Sequence, residues 1–342
     1  VEQCTKNVAT GYHKEAVAAK LRCEFMQTLG VARTLAVSSC KGGVGKSSIA
    51  LRLALALRSR GLRVGLLDVD VHGPSLPSLL PSVPTVSVES CERVNGRIRP
   101  IQALGLECMS WGFFPQSLTH YREGSATVLR GPRTARVAVQ LALGTQWDIN
   151  GSLDVLLMDM PPGTGDVHMA LLNSLPLSAA VVVSTPSSVA LADVEKGLEM
   201  LTHVGVPVIG LVENYAWHER MVSKEEVCLA LSKWLLDVPC DVAASVQNVL
   251  TEIEKLPLRT VTTGRQVPFG KSALCDILDL AKRSHHGVKG FQVPLTDEMA
   301  PDRLVVGGKE SDGIFDEVAA HVHSELSRLP LISHQQNSLP TG

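Results

Sequence analysis

A glycine-rich segment near the start of the chain restricts its fold more than any other feature. Residues Ser38 to Ser48 read SSCKGGVGKSS, with a short apolar run before them and a segment of helical composition after them. Glycine has no Cβ, so the backbone can curl until successive N–H groups face phosphate oxygens. A helix N-terminus beside such a loop also favours an anion. The order strand, glycine loop, helix therefore predicts a phosphate-binding loop rather than an unrelated glycine-rich turn.

The loop departs from the usual P-loop pattern at one position. That pattern requires glycine where Cys40 stands, and the chain carries an additional lysine, Lys41, directly after it. We expect Lys46 to reach the β- and γ-phosphates and the Ser47 hydroxyl to bind Mg²⁺. The residues expected to contact nucleotide are Gly42, Gly43, Val44, Gly45, Lys46, Ser47 and Ser48. Cys40 is either a ligand or merely a small residue at the strand end, and the second interpretation is the simpler.

Charge and composition argue against several other classes of protein. The 342 residues carry a formal charge of −2, without a basic run or a stacking aromatic cluster, so nucleic acid is not an expected partner. No apolar stretch reaches the roughly 18 to 20 residues that a membrane span needs. Eight cysteines without C-x-x-C spacing, and no secretory signal, fit a reducing compartment. We expect a soluble intracellular protein of the cytosol, plastid stroma or mitochondrial matrix.

The order of apolar segments predicts the fold class. Leu153 to Asp159 is a continuous apolar run, typical of a parallel strand buried on both faces. Strands are expected at 34–39, 63–68, 106–110, 153–159, 179–184 and 206–212, and helices at 49–60, 133–143, 167–174, 191–204, 272–283 and 315–326. This alternation predicts an α/β fold with one doubly wound, mostly parallel sheet and helices on both faces.

We interpret the chain as one P-loop ATPase domain with additions. The domain is expected to span residues 31–328, with a helical insertion at about 222–256. Residues 1–30 form an N-terminal extension, which is compatible with the remnant of an upstream domain because the chain begins at Val1 rather than Met. Residues 329–342 are expected to form a flexible tail.

Acidic side chains end two of the predicted strands. Asp68 and Asp70 follow the second strand, at the edge where open α/β sheets bind ligands. In an ATPase such carboxylates hold the Mg²⁺ shell or orient the attacking water. A solvated turn that carries two acids is the alternative. Asp159 ends an apolar strand just before MPPGTGD, which is the arrangement of a Walker B carboxylate that meets Mg²⁺ directly or through water.

Two further strand ends carry candidate nucleotide contacts. Pro162 and Gly163 predict a stiff loop whose glycine N–H approaches the γ-phosphate and thereby senses it. Asn214 ends the strand VIGLVEN and is placed to bond an adenine edge, although asparagine is also frequent there for turn reasons. Asp166 is expected either to cap the next helix or to act in the switch. His168 is expected on the surface of that helix.

Six motifs in this order resemble those of the Mrp/ApbC family of deviant-Walker P-loop ATPases, which act as iron-sulfur cluster carriers. They are SSCKGGVGKSS, LLDVDVHGPSLPSLL, LRGPR, LLMDMPPGTGDVHMALL, STPSSVALADVEKGL and GLVEN, from about Ala32 to Asn214. Within the family, the plastid-type carriers of the high-chlorophyll-fluorescence class look most similar. The features behind that similarity are Ser-Ser-Cys before the loop, Met160 before the prolines, and Pro-Phe-Gly-Lys at Pro268 to Lys271.

The resemblance implies a function and a role for each matching residue. It implies a homodimer in which Lys41 crosses the interface to the partner's nucleotide, much as an arginine finger does. It further implies ATP and Mg²⁺ as ligands, with weak hydrolysis coupled to transfer of a cluster to iron-sulfur apoproteins. The implied roles are phosphate and Mg²⁺ for Lys46 and Ser47, metal and water for Asp68 and Asp70, the Mg²⁺ shell for Asp159, and adenine for Asn214.

The chain departs from bacterial-type carriers where a cluster would be bound. Those carriers place a C-P-x-C pair soon after the VEN strand, and two pairs across a dimer give the four thiolates of a 4Fe-4S site. Here NYAWHERM follows, and the nearest cysteines, Cys228 and Cys240, are twelve positions apart. These two are candidate iron-sulfur ligands, against the alternative that Cys228 is simply buried in an apolar helical face. Plastid-type relatives also lack the pair, so a transient 4Fe-4S cluster remains compatible with the sequence.

Two other functions are alternatives to a slow ATPase that carries a cluster. A positioning ATPase of the MinD or ParA kind cycles on a membrane or on DNA, and the tail from Ile332 to Gly342 has neither a basic amphipathic helix nor a basic face. A scaffold that kept the ATP switch but lost cluster binding would explain the missing cysteine pair, because fold and motif do not by themselves establish function.

Overall fold

The computed structural model describes most of the chain between the glycine-rich loop and the last helix. The described residues are 29–80, 93–94, 96–114, 131–186, 188–223, 251, 260–266, 274–285, 288–295 and 309–329. Nearly all of the predicted extension at 1–30, the insertion from residue 224 onward apart from residue 251, and the tail from residue 330 lie outside these ranges. The candidate ligands Cys228 and Cys240 and the segment from Pro268 to Lys271 lie outside them as well.

A mostly parallel sheet of nine strands organises the described residues. Its strands are β1 (Val31–Ser39), β2 (Val64–Asp68), β5 (Ile101–Ala103), β6 (Leu106–Ser110), β7 (Leu153–Asp159), β8 (Ala179–Ser184), β9 (Val208–Ser223), β10 (Thr260–Gln266) and β11 (Lys289–Leu295), while β3 (Arg93–Val94) and β4 (Arg97–Ile98) form a separate hairpin. The order is β10-β9-β8-β1-β7-β2-β6-β5, with β11 also paired to β9. The pairs β5–β6 and β9–β10 are antiparallel, and the other pairs in this sheet are parallel.

Helices cover both faces of the sheet, as the sequence predicts. They are α1 (Lys46–Ser59), α2 (Leu76–Leu79), α3 (Gly131–Gly144), α4 (Asp166–Ser174), α5 (Ser188–His203), α6 (Leu274–Ser284) and α7 (Lys309–Arg328). Along β7, Leu156 and Met158 join an apolar cluster with α3 to α6, whereas Val155 and Leu157 join a second cluster with α1 and α7. Alternate side chains of one strand are therefore buried on opposite faces, which explains its continuous apolar sequence.

The predicted strands and helices are found close to their expected bounds, with two exceptions. The last helix, α7, begins at Lys309, six residues before its predicted start, and β9 extends well past its predicted end. The predicted strand ends at residue 212, but β9 continues to Ser223. It continues because β11 pairs with its outer edge in parallel and β10 pairs with its last residues in antiparallel fashion. Tyr215 interrupts the regular strand with φ 59°, in the left-handed region. Neither β10 nor β11 is predicted by the sequence pattern.

The sheet brings the predicted site residues to one edge. β7 lies between β1 and β2, and in this register Asp159 is opposite both Val37 and Asp68. The glycine-rich loop leaves β1 at the same carboxyl edge. The parallel order of the three central strands thus places the loop and both strand-end carboxylates side by side, at the position where open α/β sheets bind ligands.

Candidate nucleotide-binding site

The glycine-rich loop curls tightly between β1 and α1. Gly43 and Gly45 have φ values of 78° and 79°, a region that favours glycine because it has no Cβ. The carbonyl of Gly45 accepts the first helical bond, from the N–H of Ile49 at 3.0 Å. A side chain at Gly45 would also collide with Asn214 and Tyr215 of β9. Conformation and close packing both explain why glycine is needed at this point.

A pocket of about 510 Å³ lies against the loop. This volume falls within the ~300–1,000 Å³ range of small-molecule sites. One side is formed by Ser39 and by the loop from Lys41 through Ser48, except for Val44, which is buried and does not line the pocket. Pro162 also lines the pocket. We call the facing side the wall; it consists of Asp70, Gly73, Pro74, Ser75, Ser78 and Leu79. All six wall residues lie in the motif LLDVDVHGPSLPSLL, but only Asp70 among them is a predicted site residue. The turn-rich, proline-containing composition of this stretch is typical of a functional loop.

Lys46 lines the pocket and is paired with Asp159, which is buried behind it; we call this ion pair the floor. Lys46 Nζ is bonded to Asp159 Oδ1, and the two residues are only 7% and 3% exposed. Lys46 Nζ also lies 3.4 Å from Ser47 Oγ. Burial raises the pKa of the Asp159 carboxyl, while the charge of Lys46 and hydrogen bonds from Lys46 and Ser47 act in the opposite direction. Each charge therefore compensates the other in a site from which water is largely excluded.

The oxygen atoms on this floor fit Mg²⁺. The Ser47 hydroxyl is hydrogen-bonded to the Asp159 carboxylate, so two hard oxygen ligands already lie together. Mg²⁺ is usually held by one or two such protein oxygens, with phosphate oxygens and water completing its shell. Ser47 and Asp159 are the residues that would hold the ion, and their roles as Mg²⁺ ligands stay predictions.

Asp68 is held by hydrogen bonds from the protein, and its role as a Mg²⁺ ligand stays a prediction. The residue is 1% exposed, and its carboxylate accepts four hydrogen bonds of 3.0 to 3.2 Å from neutral groups of the protein. The donors are the backbone N–H groups of Asp70, Ser75 and Leu76 and the hydroxyl of Ser110. Burial, followed by the nearby charge of Asp159, raises the pKa of Asp68 to about 7. The observed contacts make Asp68 the residue that orders the wall.

Asp70 lies in the wall and faces the pocket. Its Oδ1 accepts the backbone N–H groups of His72 at 3.2 Å and Gly73 at 3.1 Å, which holds the carboxylate in a tight turn. The ring of His72 is 2.9 Å from the hydroxyl of Thr134 on α3, so the turn is also tied to a helix. Asp70 is thus the wall carboxylate that lines the pocket, and its role in orienting water stays a prediction.

Lys41 and Cys40 hold the start of the loop against α5. Lys41 Nζ lies 3.2 Å from Asp193 Oδ2, and these side chains are 39% and 30% exposed. One helical turn further on, Gly197 packs against the Cys40 thiol so closely that a Cβ there would collide with Sγ. Burial raises the pKa of this thiol to about 11. A packed, protonated thiol favours the interpretation of Cys40 as a small residue at the strand end.

The loop after β7 is bonded to β1. The N–H of Met160 donates to Val37 O at 3.0 Å, and the N–H of Gly163 donates to Ser39 O at 2.9 Å. Pro162, rather than Gly163, lines the pocket. The γ-phosphate contact predicted for Gly163 therefore requires its N–H to exchange Ser39 O for a phosphate oxygen.

Two residues of the next helix differ from their predicted positions. His168 is 1% exposed, so its predicted location on the helix surface is wrong. It bridges β1 and the loop after β7, with Nε2 3.2 Å from Ser38 Oγ and Nδ1 3.1 Å from Pro161 O. The residue at the N-cap position of α4 is Gly165, so Asp166 is the first helical residue rather than the cap.

Asn214 lies beneath the loop and is fully buried. Its Nδ2 donates to Val44 O at 2.8 Å, whereas Oδ1 has no hydrogen-bond partner in the part of the chain that the structure describes. The structure thus gives this side chain a role in supporting the loop. The predicted adenine contact would require an amide edge that reaches the pocket, and it stays a prediction.

The fold and the loop together define a P-loop NTPase. Residues 30–230 match the family model described as ParA, NUBPL iron-transfer P-loop NTPase. This match covers more than half of the chain, and the protein therefore belongs to that family. Among the described residues, no helix is both long and apolar enough to span a membrane.

Named relatives agree with the family. An iron-sulfur cluster carrier protein of Haemophilus influenzae is 47% identical over 189 residues, which cover 55% of this chain and 48% of the relative. A chloroplastic Fe-S cluster assembly factor of Oryza sativa subsp. japonica is 42% identical over 189 residues, covering 55% of this chain and 33% of the relative. The chain thus spans about half, or less, of the length of these relatives. The resemblance to iron-sulfur carriers of the deviant-Walker kind is confirmed.

A solved structure agrees with the fold. The nucleotide-binding protein of Archaeoglobus fulgidus, solved in complex with ADP, superposes with a TM-score of 0.56 at 24% identity. The similarity covers 87% of this chain and 96% of that one. At this level of identity the likeness supports the predicted fold class alone.

Proposed function

We propose that this protein binds Mg²⁺-ATP in the pocket, hydrolyses it slowly, and uses the cycle to deliver an iron-sulfur cluster to apoproteins. The observation that carries the nucleotide part is the buried Lys46–Asp159 pair on the pocket floor, beside the Ser47 hydroxyl. Support for the cargo comes from the family and from relatives named as iron-sulfur cluster carriers. We further propose that the protein is soluble, in the cytosol or in an organelle.

The floor residues would bind the phosphates and the metal by exchanging partners. Lys46 would leave Asp159 for the β- and γ-phosphate oxygens, and the N–H groups of Gly42 and Gly43 would donate to the same oxygens. Asp159, once released from Lys46, would accept a Mg²⁺-bound water, and Ser47 would offer its hydroxyl to the ion. The bound ion supplies charge neutralisation for phosphoryl transfer. The floor therefore changes hydrogen-bond partners without exposing an unpaired charge.

Asp70 is the proposed residue for the attacking water. It lines the pocket from the wall, opposite the loop, and its turn fixes the carboxylate in place. Phosphoryl transfer depends mainly on positioning and charge neutralisation, so a fixed carboxylate on that side is suited to orient water.

Lys41 is the proposed contact to a second copy of the chain. Its ion pair with Asp193 is partly exposed, and such pairs contribute only about 0–1 kcal/mol. Lys41 can therefore be drawn to the phosphates of a partner's nucleotide at little cost. On this proposal the homodimer is part of the catalytic mechanism rather than a packing arrangement.

Anaerobic reconstitution with iron and sulfide tests the cargo. We expect the wild-type protein to gain charge-transfer absorbance, and iron counting to give about four irons per dimer for a single 4Fe-4S cluster. The double variant Cys228→Ser/Cys240→Ser should lose the cluster if these cysteines are its ligands, whereas Cys4→Ser serves as the matched control. ATP should change the rate at which a reconstituted sample transfers its cluster to an apo-ferredoxin. ATP hydrolysis without any cluster uptake would instead indicate the scaffold alternative.

A further inference from the structure

His168 is a buried imidazole to which the nucleotide mechanism above gives no role. It lies on α4 and makes two hydrogen bonds, one to Ser38 in β1 and one to Pro161 in the loop after β7. Ser38 precedes the glycine-rich loop, and Pro161 lies two residues after Asp159. One side chain thus connects the strand that enters the phosphate loop with the segment that follows the floor carboxylate.

Chemistry fixes the tautomer of this ring. The carbonyl of Pro161 can only accept, so Nδ1 must carry the proton, and Nε2 must then accept from the Ser38 hydroxyl. Burial lowers the pKa of His168 to about 4, and the charge of Lys46 acts in the same direction. The ring is therefore neutral at physiological pH, and it acts through two directed hydrogen bonds rather than through charge.

The His168 bridge is the middle one of three attachments between β1 and the loop after β7. Met160 N bonds to Val37 O and Gly163 N bonds to Ser39 O, while His168 links Pro161 to the residue between them. The attachments thus fall on three successive positions of β1. The Gly163 bond must break if that N–H turns to a γ-phosphate, whereas the other two can persist.

We propose that His168 is a positioning residue that fixes Pro161 while the N–H of Gly163 exchanges Ser39 O for the γ-phosphate. The loop after β7 then pivots about Pro161 instead of detaching from β1. This inference rests on the nucleotide part of the proposed function. It assigns His168 to recognition of the triphosphate and to turnover, and not to binding of the diphosphate.

Three variants separate the two hydrogen bonds. His168→Leu removes both and keeps a bulky apolar side chain. His168→Asn keeps a donor close to the position of Nδ1 and loses the bond to Ser38, while Ser38→Ala removes that same bond from the other side. His285→Leu is a matched control, because His285 is also buried and bridges Thr202 and Val208 far from the pocket.

The experiment measures ATP turnover, and binding of ADP and of a non-hydrolysable ATP analogue by calorimetry, in purified full-length protein. For His168→Leu we expect kcat to fall about 10- to 100-fold, the scale of a misplaced catalytic segment. ADP affinity should stay within about twofold of wild type, while the preference for the triphosphate analogue is lost. His168→Asn should recover most of kcat, and His285→Leu should leave kcat unchanged despite a similar loss of thermal stability.

Two results would overturn the inference. One is wild-type turnover and nucleotide preference in folded His168→Leu; the other is equal loss of ADP and analogue binding. If His168→Leu does not fold, His168→Asn and Ser38→Ala decide instead. The inference requires each of them to lower kcat by about two- to tenfold and to weaken the preference for the triphosphate analogue, and wild-type values in both would overturn it. Wild-type protein that neither binds nor hydrolyses ATP would refute the proposed nucleotide function itself. That result differs from an active wild type whose turnover and nucleotide preference the variants leave unchanged, which would refute only the role of His168.

Discussion

The floor and the wall of the pocket each depend on one strand-end aspartate, and the two aspartates are used differently. Asp159 on the floor pairs with a charged lysine and a serine hydroxyl. Asp68 stands opposite it in the sheet register, yet its four donors are neutral groups: two in the wall, one at Leu76 beside it, and the Ser110 hydroxyl at the end of β6. Equivalent positions at the end of neighbouring strands therefore do not imply equivalent chemistry, because the residues that arrive from elsewhere in the chain determine the role.

The most direct test of this difference is to remove Lys46, the positively charged residue of the floor. We expect Lys46→Ala to abolish measurable ATP binding by calorimetry, because the residue that neutralises the phosphates is lost. The same change leaves Asp159 buried without its cation, which should lower the free energy of unfolding by about 3–5 kcal/mol. In Lys46→Ala/Asp159→Asn the stability should largely return while binding remains absent. Normal ATP affinity in Lys46→Ala would refute the assignment of the loop.

The floor is the part of the site that sequence predicts well. Lys46, Ser47 and Asp159 are found together because phosphate and metal chemistry demands these side chains at a fixed spacing from glycines and from a strand end. No comparable fixed spacing predicts the roles of Asp68 and of the wall. They depend on backbone N–H groups of Ser75 and Leu76, whose positions follow from turn geometry rather than from residue type.

His168 was within reach of the sequence. Its helix buries positions 168, 171 and 172, and Leu175 directly after the helix is buried too, which together give the i, i+3, i+4, i+7 spacing of an inward face. A histidine on such an apolar stripe is expected to be buried, with a hydrogen-bond partner for each ring nitrogen. The extension of β9 was not predictable in the same way. The strands β10 and β11 join it from segments far along the chain, and their local sequence does not identify the strand with which they pair.

A smaller effect is expected from the wall. In Asp68→Asn the new amide NH₂ would face at least one of the donors that the carboxylate now accepts, so unfolding should become easier by about 1–3 kcal/mol. ATP affinity should fall moderately because the wall loses its order, but the Mg²⁺ concentration needed for half-maximal binding should not change. Asp159→Asn, in contrast, should raise that Mg²⁺ requirement. A matching rise in Asp68→Asn would identify Asp68 as a metal ligand and remove the distinction between floor and wall.

The smallest changes in stability and affinity are expected at Lys41 and Asp193, where the loop meets α5. Their ion pair is partly exposed, so Asp193→Ala should alter the free energy of unfolding by less than about 1 kcal/mol and leave ATP affinity unchanged. Turnover should be retained in Asp193→Ala, because the lysine remains free to reach a partner's nucleotide. Lys41→Ala should bind ATP about as well as wild type but stop hydrolysing it. Unchanged turnover in Lys41→Ala would refute the action of Lys41 across a dimer, and Lys41 would then be a residue that only anchors the loop to α5.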